Sequence, residues 1–460
     1  MALTVNSRYL SLSCAAIAVI LATQPAVTGQ SAAQTAAPTA AAPRRVAVHA
    51  GRLIDGVSST AREKVTILIE GERITGVEAG FTRPAGAEVV DLSTATVLPG
   101  LIDAHTHITG EGTGNALVKS VTETATDEAI HSTIYAKRTL DAGFTAIRNV
   151  GAGGGSDISL KKAINEGLVP GPRIWTARAS LSITGGHGDT GGLRPELGHE
   201  STWENGIVDS PEAAAKAVRY QHKYGADLIK FTATGGVLSI GDSGDAMQFS
   251  EPEMKSIVDT AHLLGMKVAA HAHGKRGIDA AIRAGVDSIE HGTYLDDESI
   301  ALFKQHGTYL VPTVLAGKTV EAMAKIPGHL HPSVQPKAAK IGPLMQAMAG
   351  RAYKGGVKMA FGTDSGVSNH GENAREFAYL VDAGVPPMEA ILMATRNAAD
   401  LLGASDRIGS IQAGRFADVI AVAGDPLKDI TELQRVTFVM KGGQIVKSQT
   451  AARSTSSGTK

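Results

Sequence analysis

The stretch Leu98-Pro99-Gly100-Leu101-Ile102-Asp103-Ala104-His105-Thr106-His107 decides how the rest of this 460-residue chain is read. Its apolar run reads as a buried strand. Strand side chains alternate faces, so His105 and His107 project the same way from the strand's end. Two imidazoles placed like that suit one metal ion. A bare His-x-His is equally well two surface residues. Further ligand-type residues on later strand-like segments argue for the metal: Lys230, His271, His291 and Asp364.

Outward from that strand, short apolar runs alternate with helical periods. Strands are predicted at 101–105, 145–150, 174–177, 228–231, 268–271, 288–291, 309–312 and 359–362. Helix-like stretches lie between them at 126–141, 211–224, 251–264, 278–284 and 296–305. Pro211 after Ser210, and Pro252 after Ser250-Glu251, are helix-start signals. Eight strand–helix alternations predict an α/β fold, a (β/α)8 TIM-like barrel over residues 98–405. A doubly wound sheet is the alternative, disfavoured because no Gly-x-Gly-x-x-Gly follows an early strand. The glycine run at 151–155 lacks that spacing and reads as a flexible active-site loop. A barrel keeps its active site at the C-terminal ends of its strands. His105 and His107 end strand one, Lys230 strand four, His271 strand five, His291 strand six and Asp364 strand eight. All would then face one bowl.

The two ends of the chain share a different character. Residues 45–97 alternate, as in Val46-Ala47-Val48-His49-Ala50 and Val65-Thr66-Ile67-Leu68-Ile69, with a hairpin-type turn at Glu70-Gly71-Glu72-Arg73. Residues 406–450 repeat the pattern, so a small β-sandwich formed by both termini is expected. Before it, Arg8, an apolar run at 10–22 and small residues at 26–33 read as a secretory signal over 1–29. That predicts a periplasmic or secreted protein. The run is short for a transmembrane helix, so no stable membrane insertion is expected, with an uncleaved anchor as the alternative. Residues 30–44, rich in Ala, Thr, Gln and Pro, read as a disordered linker, and 451–460 as a disordered tail. The single cysteine, Cys14, lies inside the signal, which leaves no disulfide or cysteine nucleophile after its removal. A formal net charge of -1 supplies no basic excess for nucleic acid or an anionic membrane.

Each candidate ligand also has a simpler reading taken alone. A lysine near a strand end is usually a solvated cation. Asp364 can cap the next helix. A lone His271 or His291 can be a satisfied core residue, and His273 reads as a supporting or structural one. Together, imidazoles and a carboxylate suit zinc or a similar divalent ion, and a second ion if a bridging anion is available.

These motifs, with Ile408-Gly409-Ser410-Ile411-Gln412-Ala413-Gly414-Arg415-Phe416-Ala417-Asp418-Val419 and the following Asp425-Pro426, resemble the amidohydrolase superfamily. The resemblance covers nearly all of the chain beyond the signal. Within the superfamily it is similar to the binuclear Xaa-Pro dipeptidase/carboxypeptidase-like branch, near imidazolonepropionase-like enzymes. The resemblance implies two divalent ions, Zn2+ by analogy, bridged by carboxylated Lys230. It assigns His105, His107 and Asp364 to the buried ion and His271 and His291 to the outer one. It makes Asp364 and His291 the catalytic residues, with Asp364 passing a proton from the bridging hydroxide's water to the leaving amine. Coordination would lower that water's pKa toward about 7 and polarise the scissile carbonyl.

Thr184-Gly185-Gly186-His187-Gly188-Asp189 resembles the branch's strand-three loop, whose histidine contacts substrate. Tyr294 is similarly placed to bind a substrate carboxylate, although a glycine-flanked histidine equally stabilises its own loop. Residues 180–209 would form a substrate loop and 316–343 a lid. Lys230 argues against the mononuclear ring deaminases. The implied activity is hydrolysis of the amide bond to a C-terminal amino acid, in a dipeptide such as Xaa-Pro or an N-acyl-Phe. The sequence also resembles amidohydrolases that cleave the N-acyl phenylalanine ochratoxin A. A cyclic amide hydrolase or lactonase on the same site is the alternative, and a non-catalytic binding protein on a degenerate barrel a third reading. The family further implies a small-molecule substrate and a homo-oligomer, as large as an octamer.

Overall fold

The N-terminal segment builds β1 (Arg45–Leu53), β2 (Arg62–Glu70), β3 (Arg73–Ala79) and β4 (Glu88–Pro99). β1 pairs antiparallel with β2 and parallel with β4. The turn into β3 passes through Gly71 at φ +59, a conformation that costs glycine nothing. The computed structural model describes residues 43–112, 116–189, 191–194, 196–197, 202–240 and 243–449. The signal expected at 1–29, nearly all of the linker at 30–44 and the tail at 451–460 lie outside the described residues. Among the described residues no helix is long and apolar enough to cross a membrane.

The middle of the chain alternates as its sequence pattern requires. β5 (Leu101–Thr106) leads to α1 (Ala116–Thr122) and α2 (Ala125–Asp141). β6 (Phe144–Asn149), α3 (Ser156–Asn165) and β7 (Arg173–Thr176) follow. Then come α4 (Pro211–Lys223), β8 (Leu228–Thr232), α5 (Glu251–Leu263), β9 (Lys267–Ala272) and α6 (Lys275–Ala284). β10 (Ser288–His291), α7 (Asp297–His306) and β11 (Tyr309–Val311) complete the alternation. α8 (Val314–Met323), α9 (Gln335–Lys354), α10 (Arg375–Asp382), α11 (Pro387–Leu392) and α12 (Ala398–Leu401) close this part of the chain. Local chemistry sets the helix starts. Ser210 caps α4 ahead of Pro211, Ser250 and Glu253 form a capping box on α5, and Asp296 caps α7.

β5, β6 and β7 pair in parallel, and so do β8, β9, β10 and β11, giving sheets of three and four strands. β5, β6, β8 and β10 are buried along their whole length, as strands covered on both faces must be. Single bonds span the seams between the sheets. Asp227 N donates to Thr176 O and Leu181 N to Lys230 O on one side. Ala360 N donates to Leu310 O and Ala104 N to Phe361 O on the other.

The eighth strand predicted at 359–362 is not formed. That segment is irregular and carries only isolated parallel bridges, Leu310↔Met359 and Thr106↔Ser365. The cause lies in the contacts that follow it. Thr363 N and Asp364 N both converge on His105 O, and Asp364 adopts a left-handed backbone at φ +58. A regular ladder cannot continue through that geometry. Gly362 permits the close approach: a Cβ there would lie 2.3 Å from Val311 and 2.9 Å from the Cβ of His105.

The C-terminal strands β12 (Val419–Val422), β13 (Phe438–Lys441) and β14 (Gln444–Ser448) return to the N-terminal ones. The result is one hydrogen-bonded seven-stranded sheet built from both termini, ordered β14-β13-β12-β4-β1-β2-β3. β4 explains this. Its residues 88–92 and 96–97 pair with β1 on one edge and its residues 96–99 with β12 on the other, so one long strand carries both ladders. The two ends do share one core, drawn from Val48, Ile67, Val97, Val419, Phe438 and Met440 among others.

Candidate metal centre

The C-terminal ends of β5, β8, β9 and β10, with the 359–364 segment, converge on a cavity of about 290 Å3. It is lined by His105, His107, Lys230, His271, His291 and Asp364, and also by His187 and His273. All six expected ligands are therefore brought together. Asp364 Oδ1 stands 3.4 Å from Nε2 of both His105 and His107. His105, His291 and Asp364 each offer a ligand atom, all within 4.8 Å of one another, and His271, His273 and His291 do the same. His291 is common to both groups.

Every ring is held from behind. His105 Nδ1 lies 2.7 Å from Glu290 Oε2, and His291 Nδ1 lies 2.6 Å from Thr313 Oγ1. His273 Nδ1 lies 2.7 Å from Thr293 Oγ1, and His271 Nε2 lies 3.1 Å from Gly235 O. All four partners fix ring orientation and leave the other nitrogen to face the cavity, and the Glu290 carboxylate and Gly235 carbonyl, being acceptors only, also fix the tautomer of His105 and His271. Glu290 is itself wholly buried, and Arg148 Nη2 donates to its Oε1 at 2.7 Å. Arg148 sits on β6, His105 on β5 and Glu290 on β10, so this ion pair also ties the two parallel sheets across the interior.

The backbone is strained where the chemistry sits. His291 (φ +71), Thr313 (φ +49) and Asp364 (φ +58) are three of the five described non-glycine residues in the left-handed region. Each costs on the order of 1–3 kcal/mol, which the surrounding packing must offset. The effect at His291 is geometric. In an extended strand Glu290 and His291 would point to opposite faces. The left-handed turn brings both inward, Glu290 behind His105 and His291 into the cavity.

Burial sets the charges. It pushes His271 and His291 well below the ordinary imidazole value and His273 down to about 3. His107, at the cavity's edge, is also lowered by desolvation, against the pull of Asp364. Burial alone would raise Asp364, but His105 and His107 hold it down at about 2. Burial opposes ionisation of Glu290 too, and Arg148 and His105 reverse that to about 2. Lys230 falls to about 8 through burial, with Glu290 and Asp364 limiting the drop. Neutral imidazoles beside ionised carboxylates are the state a divalent cation requires of its ligands. His105 Nε2 adds a direct sign of fit: it is buried, faces Asp364 and has no hydrogen-bond partner. The residues present therefore fit a metal ion.

Two residues stand in settings that the sequence reading did not give them. Tyr294 does not line this cavity with His187. It lines an adjoining one of about 200 Å3 with Lys337 and Lys340, sharing His273, Val237 and Ile341 as the common wall. His273, read from sequence as supporting or structural, stands in a ligand group. Glu290, Arg148 and Thr313 were missed altogether. Strand alternation hides Glu290 behind His291, and nothing in a lone sequence pairs Arg148 with a strand 140 residues later.

The fold is of the TIM-like α/β class, and its site is one that could hold a metal ion. A sequence profile of the amidohydrolase family matches residues 96–446, and the chain belongs to that family. It is similar to ochratoxinase of Aspergillus niger, 34% identical over 426 residues, covering 87% of this chain and 86% of that protein. A solved Xaa-Pro dipeptidase with methionine bound in its active site superposes with a TM-score of 0.85 at 43% identity, covering 88% of this chain and all of that one. A prolidase solved with N-methylphosphonate-L-proline superposes with a TM-score of 0.80 at 31% identity, covering 88% of this chain and 100% of that one.

Proposed function

We propose that this chain hydrolyses the amide bond to the C-terminal residue of a dipeptide or N-acyl amino acid. The observation that carries the reading is the unpartnered, buried His105 Nε2 facing Asp364 among neutral imidazoles. Two divalent ions bound there, Zn2+ in this reading, would supply Lewis acidity toward a carbonyl and a water activated near neutral pH. His105, His107 and Asp364 would hold one, and His271 and His291 the other. Lys230 would serve between them once its neutral amine has added to carbon dioxide and released a proton, which turns a cation into an anion. His273 stands close enough to join the outer group or to meet the substrate beside it.

The protein's own residues then divide the work. Asp364, kept ionised by its histidines, accepts the proton of the attacking water and returns it to the leaving amine. His291, shared by both ligand groups, sets the spacing between them. His187 lines the same cavity, where it can meet the scissile carbonyl. The relatives support the bond type: one is named an ochratoxinase, another a Xaa-Pro dipeptidase, and a third is a prolidase holding a phosphonate of proline.

The test is metal content per chain measured with hydrolysis of Xaa-Pro dipeptides and N-acyl-phenylalanines. About two ions per chain, with activity lost to a chelator and restored by Zn2+, is expected. A metal-loaded protein inert toward every such amide would overturn the reading.

A further inference from the structure

The loop after β8 and helix α9 meet over His187. Ser239 Oγ lies 2.5 Å from His187 Nδ1. Lys337, on α9, donates from Nζ to Ser239 O at 2.7 Å and to Gly236 O at 3.1 Å. The imidazole is pressed against the same loop, because a Cβ on Gly236 would lie 2.1 Å from its ring. On its other side the ring stands 4.2 Å, centroid to centroid, from His271. Gln248 Oε1 accepts from His187 N at 3.0 Å and holds the backbone. The ring is thus fixed in plane by Gly236 and in rotation by Ser239, and Lys337 fixes the loop that carries both.

We propose that Ser239 and Lys337 are positioning residues that act through His187, so that docking of α9 on the 236–239 loop sets the imidazole's orientation toward the substrate. This rests on the amide-hydrolysis reading for its kinetic consequence, though not for its geometry. The hydroxyl at Nδ1 holds the ring in one rotamer. The ammonium, anchored on two carbonyls, removes freedom from a glycine-containing loop that would otherwise sample other conformations. A misplacement of about 1 Å in such a group costs up to about a hundredfold in rate.

The experiment is a set of double-mutant cycles on the metal-loaded enzyme. Ser239→Ala and Lys337→Met are each combined with His187→Ala, and kcat/KM is measured on an N-acyl-phenylalanine. Each single change is expected to lower kcat/KM between about 10- and 100-fold. With His187→Ala already present, neither should lower it further, because a residue acting through His187 has nothing left to position. Lys337→Arg, which keeps the charge and the reach, should recover most of the loss. Losses that add to that of His187→Ala would overturn the proposal, as would a Ser239→Ala enzyme as active as the parent. If the parent hydrolyses no amide offered, the amide reading fails, and a crystal structure of Ser239→Ala decides the clamp alone. A ring turned off Gly236 supports it, and an unmoved ring refutes it.

Discussion

The floor and the roof of the cavity are built on opposite principles. The floor is polar and locked: each inward imidazole has a partner behind it, and Glu290 and Arg148 form a buried ion pair below. The roof is aliphatic. Ala316 and Val320 of α8, Ile341 and Met345 of α9, and Val367 face the same space. Val320, Ala338, Ile341 and Met345 form a cluster with Val237, Leu238 and Leu330 packed against it. Directional groups fix what chemistry the floor can do, and shape alone fixes what fits beneath the roof. Discrimination by a hydrophobic wall is worth only about 1–3 kcal/mol per methylene-sized difference, so broad tolerance there is the expected behaviour.

The floor should break hardest. Lys230→Ala removes the side chain expected between the two ions and should lower kcat/KM by about a thousandfold, with loss of metal seen by atomic absorption. A variant that keeps its metal and its activity would separate this chain from a lysine-bridged site. Glu290→Gln should come next. It keeps the shape but weakens the partner of His105 Nδ1 and deprives Arg148 of its counter-charge. Metal affinity, measured by chelator competition, should fall roughly 10- to 100-fold, with activity recovered at high metal. Unchanged affinity would mean that the ion pair serves only to join the sheets.

The roof should bend without breaking. Val320→Ala should leave metal content intact and shift the preference between large and small N-acyl groups by about tenfold toward the large. A parallel loss of metal would show that floor and roof are not separable.

The contrast also governs what the sequence revealed. The floor was legible because strand periodicity and ligand chemistry are local: His105 and His107 share one face, and Lys230, His271 and His291 each end an apolar run. Helix starts at Ser210, Ser250 and Asp296 were equally local and equally readable. The missing eighth strand was not, because it depends on the backbone amides of Thr363 and Asp364 reaching His105 O, 258 and 259 residues earlier in the chain. That β4 pairs with β1 on one edge and β12 on the other, and so makes the sheet continuous, is stated by no local pattern. Tyr294 was given a substrate-carboxylate role by analogy, and it lines a neighbouring cavity that shares His273, Val237 and Ile341 with the first.

Glu376 marks where floor and roof join, and there the expected effect is smallest. Its carboxylate, on α10, accepts from Val314 N at 3.0 Å and Leu315 N at 2.6 Å, the first amides of α8. Thr313 cannot supply that cap, since its Oγ1 is engaged with His291 Nδ1. Burial raises Glu376 from 4.5 to about 8, against the two amides that favour the ionised form. A carboxyl raised on folding binds its proton more tightly in the folded state. Its contribution to stability is therefore complete below about pH 4.5 and is lost as pH rises through about 8. Glu376→Gln keeps one acceptor and gives up the other, a cost of about 1 kcal/mol. The variant should thus be slightly less stable than the parent below about pH 4.5, with the gap closing just above that and clearly reversed by pH 8. Urea midpoints across that range measure it. A gap that stays constant would mean Glu376 is ionised throughout, with the α8 amides outweighing burial, and the roof would then rest on a fixed charge, as the floor does at Glu290.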